Sequence, residues 1–144
     1  FSAWRKEDGE ELRRVSGTGI GRVFDIAPNA QSSNPNGFVV IGPVLYFRAN
    51  DGTHGEELWA SGGEPYNTYM VYDLLPGASA AAAPSGLTAI GRRLFFAANN
   101  GAYGNELWSV DGARELPRLV ADIAAPHALA PVIATPVPPG APSK

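Results

Sequence analysis

Short apolar stretches separated by turn residues recur along the chain. VLYF at 44–47 and LFFAA at 94–98 are apolar at successive positions, and Gly, Asn, Asp or Pro stands beside each stretch. Such runs are typical of β-strands that are buried on both faces, as in sheets stacked on one another. The pattern predicts eight strands, at 38–41, 44–49, 57–61 and 68–74, and again at 87–90, 93–98, 106–110 and 118–123.

One sequence motif, here called the repeated phrase, occurs three times in the chain. FSAWRKEDGEEL begins at Phe1, FRANDGTHGEEL at Phe47 and FAANNGAYGNEL at Phe96, and the three align without a gap. Asp25-Ile26, Asp73-Leu74 and Asp122-Ile123 close the corresponding stretches. A period of just under 50 residues is typical of propeller blades, and the amphipathic signatures of helical repeats are missing.

The expected fold is therefore all-β, a β-propeller-like array of about three four-stranded blades. The repeats are expected to cover residues 1–126, in units of about 1–37, 38–86 and 87–126, and the first unit starts in the middle of a blade. Residues 127–144, rich in Pro and Ala, are expected to form a tail or tether, in which 132–135 could return as one closing strand. The connector PGASAAAAPSG at 76–86 is predicted to be a loop, because four alanines cannot sustain an isolated helix.

Composition and charge narrow the possible functions. The chain has 144 residues and no cysteine, so disulfides, zinc-thiolate sites and cysteine nucleophiles are excluded. With 11 basic and 14 acidic residues and no basic stripe, a nucleic-acid surface is not expected. No apolar run approaches the ~20 residues of a membrane helix. Because the chain starts with Phe1, we expect a processed protein or a piece of a longer one.

GEELWASGGEP at 55–65 and GNELWSVDGAR at 104–114 resemble the ELWxxDGT repeat of large bacterial surface and secreted proteins. The resemblance covers nearly everything before the tail, and it implies an exported, propeller-like array in which no catalytic residue is established for the repeat itself. The first unit departs most from the motif, since Arg13 stands in the tryptophan position. The matching residues are Glu57, Leu58, Trp59 and Gly63 in the second unit, and Glu106, Leu107, Trp108, Asp111 and Gly112 in the third.

The repeated phrase is interpreted first as a structural motif, a tight turn followed by the start of a strand. Asn50-Asp51-Gly52 and Asn99-Asn100-Gly101 predict tight turns, because Asx side chains bond nearby backbone amides and Gly accepts positive φ. The tryptophan that follows is expected to pack one blade against the next, and its indole N–H is expected to donate a hydrogen bond to a carbonyl oxygen. The recurring glutamate, at 11, 57 and 106, is expected to pair with backbone at the strand start.

A metal site is the alternative interpretation of the same phrase. Asp51, Glu56 and Glu57 could ligate calcium, since that ion prefers carboxylate and carbonyl oxygens. The third unit has Asn100 and Asn105 at two of these positions, which lowers the charge, so no cofactor is expected and calcium stays a minor alternative. Asp25, Asp73 and Asp122 are better explained as turn initiators than as catalysts. His54 and His127 share no metal spacing and are expected in exposed loops.

No nucleophile elbow, phosphate loop, zinc-protease or dinucleotide fingerprint occurs, so the chain is not expected to be an enzyme. A sialidase-like glycoside hydrolase is the least favoured option, because no convergent arginine cluster can be assembled from the sequence. The favoured function is a non-enzymatic structural or protein-interaction module, exported to a bacterial surface, the periplasm or the medium, or an accessory subunit of a larger assembly.

Two surfaces follow from this reasoning. Three blades cannot close a ring, so a protein partner or self-association is expected to cover the open blade edges, and Arg13 marks the face where a partner would meet the first unit. A lectin is the alternative function, because glycans stack on exposed aromatic rings. Its candidate platforms are Tyr66, Tyr69, Tyr72 and Tyr103.

Overall fold

The computed structural model describes residues 1–77, 82–112 and 115–123 and shows an all-β protein. Within these residues, eleven strands form three antiparallel sheets in which neighbours in the sequence are neighbours in the sheet. The first sheet contains β1 (Ser2–Arg5), β2 (Gly9–Ser16) and β3 (Gly19–Arg22). The second contains β4 (Asn36–Ile41), β5 (Val44–Asn50), β6 (Glu56–Ser61) and β7 (Thr68–Tyr72). The third contains β8 (Ser85–Ile90), β9 (Arg93–Asn99), β10 (Asn105–Val110) and β11 (Arg118–Ala121).

All eight strands predicted from the sequence are present, which confirms the all-β fold class. Two of them end earlier than predicted. β7 ends at Tyr72 and β11 at Ala121, whereas the patterns extended to 74 and 123. The backbone N–H groups of Leu74 and Ile123 bond glutamate side chains, so these residues have left the sheet.

The sheets stack with apolar side chains between them. Phe47 and Trp59 extend from the second sheet towards Leu12 of the first, in one buried cluster. On the other face, Tyr46 and Leu58 pack against the third sheet in a second cluster. Burial of each such side chain contributes about 1.5–3 kcal/mol. The second sheet is therefore buried on both faces, as its apolar runs predicted.

The third sheet packs on the second through its tryptophan. Leu94, Phe96, Ala98 and Trp108 lie in the same cluster as Leu58. The first strands of these two sheets, β4 and β8, also contact each other. The three described sheets do not close into a barrel or a propeller ring.

The segments that connect the strands follow the prediction where the structure describes them. In the connector, residues 76–77 and 82–84 are neither helix nor strand, and Ser85 and Gly86 belong to β8. A short 3₁₀ turn, Pro65–Asn67, precedes β7. The possible closing strand at 132–135 and His127 lie outside the described residues. In the described part of the chain, no helix has the length and apolar character to cross a membrane.

Candidate functional site

The recurring glutamates lie at the places where one sheet is joined to the next. Glu11, Glu57 and Glu106 are almost fully buried near the start of β2, β6 and β10. Each carboxylate accepts a hydrogen bond from the loop that follows the last strand of its own sheet. The donors are the backbone N–H groups of Ile26, Leu74 and Ile123. The predicted pairing of these glutamates with backbone is confirmed.

The first joint, between the first and second sheets, satisfies its glutamate fully. Glu11 accepts hydrogen bonds from Ile26 N and Ala27 N, both at 3.1 Å, and from the Ser33 hydroxyl at 2.8 Å. Burial raises the pKa of Glu11, while the Ser33 hydroxyl and the two amides oppose the rise. Ser33 also bonds both sheets through its backbone, because its N–H donates to Glu10 O and its carbonyl accepts from Asn50 N.

The second joint, between the second and third sheets, repeats this backbone arrangement with a different residue. Asn99 N donates to Ala82 O at 2.9 Å, and Ala83 N donates to Glu56 O at 3.2 Å. Ala82 therefore takes the place of Ser33 and is equally buried. Ala83 N corresponds to Asn34 N, which donates to Glu10 O in the first joint, so one backbone donor to this carbonyl is kept. The second joint lacks the hydroxyl.

Without that hydroxyl, Glu57 is poorly satisfied. Its Oε2 accepts from Leu74 N at 3.3 Å, whereas its buried Oε1 has no hydrogen-bond partner in the described part of the chain. Asp73 Oδ1 is also buried and has no hydrogen-bond partner among the described residues. Burial, together with the nearby Asp73 charge, raises the pKa of Glu57 to about 7, although the backbone N–H groups of Leu74, Ala82 and Leu75 oppose the rise.

The turn of the repeated phrase is built by Asx side chains, as predicted. Asn50 Oδ1 accepts from Gly52 N at 2.7 Å, and Asp51 Oδ1 accepts from Thr53 N and His54 N, both at 2.8 Å. Gly52 has a φ of 80°, which an L side chain rarely adopts.

The third unit repeats the same turn with neutral residues. Asn99 Oδ1 accepts from Gly101 N, and Asn100 Oδ1 accepts from Ala102 N and Tyr103 N. The geometry therefore needs an Asx oxygen at these positions and does not need a carboxylate.

The three carboxylates considered for calcium point to different partners. Asp51 Oδ2 bonds the His54 ring at 2.7 Å, and Glu56 Oε1 lies 3.6 Å from Arg48 Nε. Glu57 faces the second joint. Within the residues that the structure describes, no group of three or more His, Cys, Asp or Glu side chains could hold a metal ion.

The Asp51–His54 pair has shifted protonation equilibria. The hydrogen bond from Asp51 raises the pKa of His54, and the Asp51 charge adds to the rise. Partial burial opposes ionisation of Asp51, yet the bonds from His54 and from two backbone amides lower its pKa below the ordinary value. This pair lies at the exposed side of the turn and holds the loop.

The tryptophans of the repeat anchor adjacent sheets, as predicted, but only one of the two indole N–H groups has a partner in the described residues. Trp108 Nε1 donates to Ala98 O at 3.0 Å. Trp59 is buried to the same degree, and its Nε1 has no partner in the part of the chain described. The sequence prediction that the indole finds a carbonyl is confirmed at Trp108 alone.

Arg13 occupies the tryptophan position of the first sheet and reproduces the bond of Trp108. Its Nε donates to Ala3 O at 3.1 Å, the equivalent of Ala98 O. Its Nη2 lies 2.6 Å from Asp8 Oδ1, and the Arg13 side chain is 1% exposed. Arg22 pairs with both Asp8 and Asp25 beside it. Arg13 is thus enclosed within its own sheet and is not an exposed contact residue.

The end of the ELW motif forms the turns at the other end of the strands. Gly63 and Gly112 have φ angles of 95° and 107°, so both positions favour glycine. Asp111 pairs with Arg93, and this pair is exposed. The side-chain hydrogen bond from Arg93 lowers the pKa of Asp111 and raises that of Arg93.

The tyrosines considered as glycan platforms do not form one surface. Tyr66 is 82% exposed and lies in the turn between β6 and β7, whereas Tyr103 is 49% exposed and lies in the loop between β9 and β10. The hydrogen bonds of the second joint place the start of β10 beside the start of β6, so these two turns lie at opposite ends of the strands. Tyr69 is partly buried against the core, and Tyr72 is 46% exposed at the end of β7.

One repeated feature was missed by the sequence reasoning. Pro35 and Gly37 before the second unit match Pro84 and Gly86 before the third. Both prolines are buried, and both glycines have a positive φ at a bulge where β4 and β8 change register. A proline two residues before a glycine at the start of an apolar run was the signal that could have found it.

Comparison with known proteins adds nothing to this geometry: no family model matches the chain, and neither the curated proteins nor the solved structures gave a match.

Proposed function

We propose that the chain is a non-enzymatic, propeller-like repeat module that works by assembling with other protein surfaces. Support comes from the way its polar residues are used. The repeated carboxylates and Asx side chains bond their own backbone at the joints and turns. An exported bacterial location accompanies this proposal on the resemblance to the ELWxxDGT repeat alone.

The observation that carries the proposal is the outer face of the third sheet. Phe95 and Leu107 point away from the second sheet and are partly exposed. Their equivalents in the second sheet, Tyr46 and Leu58, are 1% and 0% exposed because the third sheet covers them. The same kind of apolar face is thus covered in one sheet and open in the next.

The rim of this face carries charge where the second sheet is apolar. Arg93 and Arg118 stand at the positions of Val44 and Tyr69. Arg93 is partly neutralised by Asp111, and Arg118 is exposed. A partner surface with an apolar centre and an acidic rim fits this pattern.

A second copy of the chain is the simplest partner. Val15 and Ile20 pair across β2 and β3 and are 71% and 52% exposed. They offer an apolar surface on the first sheet, at the other end of the stack. Contact between the two ends would be head-to-tail, the type of interface that forms rings or open arrays.

The test is the mass of the native particle, measured by native mass spectrometry and sedimentation across a concentration series. We expect species above the 15.1 kDa of one chain. Leu107→Lys places a charge at the centre of the face and should return the protein to one chain. Tyr66→Lys is the matched control, because Tyr66 is 82% exposed outside both faces. A lone 15.1 kDa species at every concentration would refute self-association.

A lectin is the second candidate, favoured by the exposure of Tyr66. A glycan array of the purified protein decides between the two, with Tyr66→Ala and Tyr103→Ala as paired variants. Because the two rings lie at opposite ends of the strands, a genuine site should be lost in one variant and kept in the other. Sugar binding that Tyr66→Ala abolishes would replace the scaffold proposal with a lectin.

A further inference from the structure

The two described joints of the stack differ by one hydroxyl group. In the first joint, Ser33 Oγ donates to Glu11 Oε2 at 2.8 Å. In the second joint, Ala82 occupies the same place between the sheets and offers no side-chain donor. Both joints keep the bond to the carbonyl of this residue, from Asn50 N in the first and from Asn99 N in the second, so the missing hydroxyl acts on the glutamate.

Two buried oxygens in the second joint are left without donors in the described residues. They are Glu57 Oε1 and Asp73 Oδ1. The residue Glu57 is 0% exposed, so solvent does not satisfy it. A buried acceptor without a donor costs about 1–3 kcal/mol, and more when it is charged. A proton is the smallest ligand that removes this deficit, because a neutral carboxyl group becomes a donor itself.

The other charged groups near the joint are already engaged. His54 donates to or accepts from Asp51 at 2.7 Å on the exposed side of the turn. Glu56 lies on the opposite face of β6 from Glu57, next to Arg48. No arginine or lysine pairs with Glu57 in the described part of the chain.

We propose that Glu57 binds a proton in the folded protein, and that this proton tightens the second joint while the first joint stays closed across the same pH range. When Glu57 is protonated, its carboxyl group is neutral and supplies a donor to the joint. When the proton leaves, a buried carboxylate with an unpartnered oxygen lies near the Asp73 charge, and the joint loosens. The second joint is therefore more stable at acidic than at alkaline pH.

The direction of the pH dependence follows from the protonation of Glu57. Its pKa is about 7 in the folded protein and 4.5 as the ordinary value, because burial and Asp73 disfavour the charged form. Between these values the folded state binds a proton that the unfolded state has released, so stability falls as pH rises. The stabilisation is fully present below pH ~4.5 and lost above pH ~7, and it corresponds to a few hundred fold in the folding equilibrium, about tenfold per pKa unit.

Amide hydrogen exchange measures the joint directly. We expect the protection factors of Leu74 N and Asn99 N, corrected for intrinsic exchange, to fall at least tenfold between pH 6 and pH 8. Asn50 N, the equivalent amide of the first joint, is the internal control and should change much less. Equal protection of Leu74 and Asn99 at the two pH values would overturn the proposal.

Two variants make the test specific to the Glu57 carboxyl group. Glu57→Gln keeps the shape and should give protection at these amides that is independent of pH. Ala82→Ser restores the hydroxyl of the first joint, so it should lower the pKa of Glu57 and raise protection at pH 8. If Glu57→Gln does not fold, Ala82→Ser alone decides, and an unchanged pH profile in that variant contradicts the proposal.

A cation could satisfy the same two oxygens, and one further measurement separates the two ligands. Calcium at millimolar concentration, with magnesium as the comparison, should not restore the protection of Leu74 at pH 8. Restoration by calcium in the wild type, lost in Glu57→Gln, would replace the proton by a metal ion and refute our assignment.

Discussion

Replacing Asp8 by alanine should destabilise the first sheet strongly, because it removes the partner of a buried guanidinium. Arg13 Nη2 lies 2.6 Å from Asp8 Oδ1, and the Arg13 side chain is 1% exposed. Its Nε remains bonded to Ala3 O. The variant therefore leaves a buried positive charge with one neutral acceptor.

The expected size follows from the environment of the pair. Breaking a buried ion pair by removing one partner costs about 3–5 kcal/mol. Asp8 itself is 18% exposed, so water can partly replace its carboxylate, and we expect about 3 kcal/mol, near the lower limit. Arg22 does not add much to the loss, because it keeps its bond to Asp25 at 2.8 Å.

A second background isolates the charge effect from other effects of the substitution. Arg13→Trp introduces the residue that the other two units use, and its indole N–H can donate to Ala3 O as Trp108 donates to Ala98 O. In that background no guanidinium needs Asp8. Asp8→Ala should then cost less than about 1 kcal/mol, so the coupling energy between the two positions should be about 2 kcal/mol.

The assay is equilibrium urea unfolding of the four proteins of this cycle, followed by tryptophan fluorescence and circular dichroism. The free energies should be compared at low and high salt, since a buried pair is screened less than an exposed one. The reasoning is refuted if Asp8→Ala costs the same in both backgrounds. A cost below about 1 kcal/mol in the wild type would show that Arg13 is not desolvated.

Two other substitutions test single hydrogen bonds. Ser33→Ala should reduce the free energy of unfolding by about 1–2 kcal/mol and raise the pKa of Glu11 further, because the hydroxyl bond to Glu11 is lost. Urea unfolding at several pH values measures both effects. A loss of stability near zero would mean that the backbone amides alone satisfy Glu11. In the same assay, Trp108→Phe should reduce the free energy of unfolding by about 1 kcal/mol more than Trp59→Phe, because Trp108 alone loses a hydrogen bond, to Ala98 O. Equal reductions in the two variants would contradict this prediction.

The strands could be predicted from the sequence because their signals are local. An apolar run such as 44–47 and the Asn-Asp-Gly turn after it are contiguous, and each constrains the backbone by itself. The repeat strengthened the prediction, since the same pattern had to be explained twice. The strand ends at Tyr72 and Ala121 were missed because they depend on a hydrogen bond to a glutamate 17 residues earlier in each case.

The burial of Arg13 could not be read from the sequence. An arginine in the tryptophan position suggested a face open to water or to a partner. The structure encloses it because Asp8, in the turn between β1 and β2, and Arg22 on β3 form an ion-pair chain around it. These residues come from three segments, so only the folded sheet brings their charges together.

The joints show how a repeat can keep its geometry and vary its strength. In a stack, stability is approximately the sum of the units and of the contacts between neighbours. The carbonyls of Ser33 and Ala82 accept equivalent bonds, from Asn50 N and Asn99 N, so the sheets are joined in a similar way at both places. Ser33 also supplies a hydroxyl donor to its buried glutamate, which Ala82 cannot. The second joint is therefore the place where this stack should open first as pH rises. That opening would expose strands of the third sheet, whose outer face carries Phe95 and Leu107 as the proposed contact for a partner.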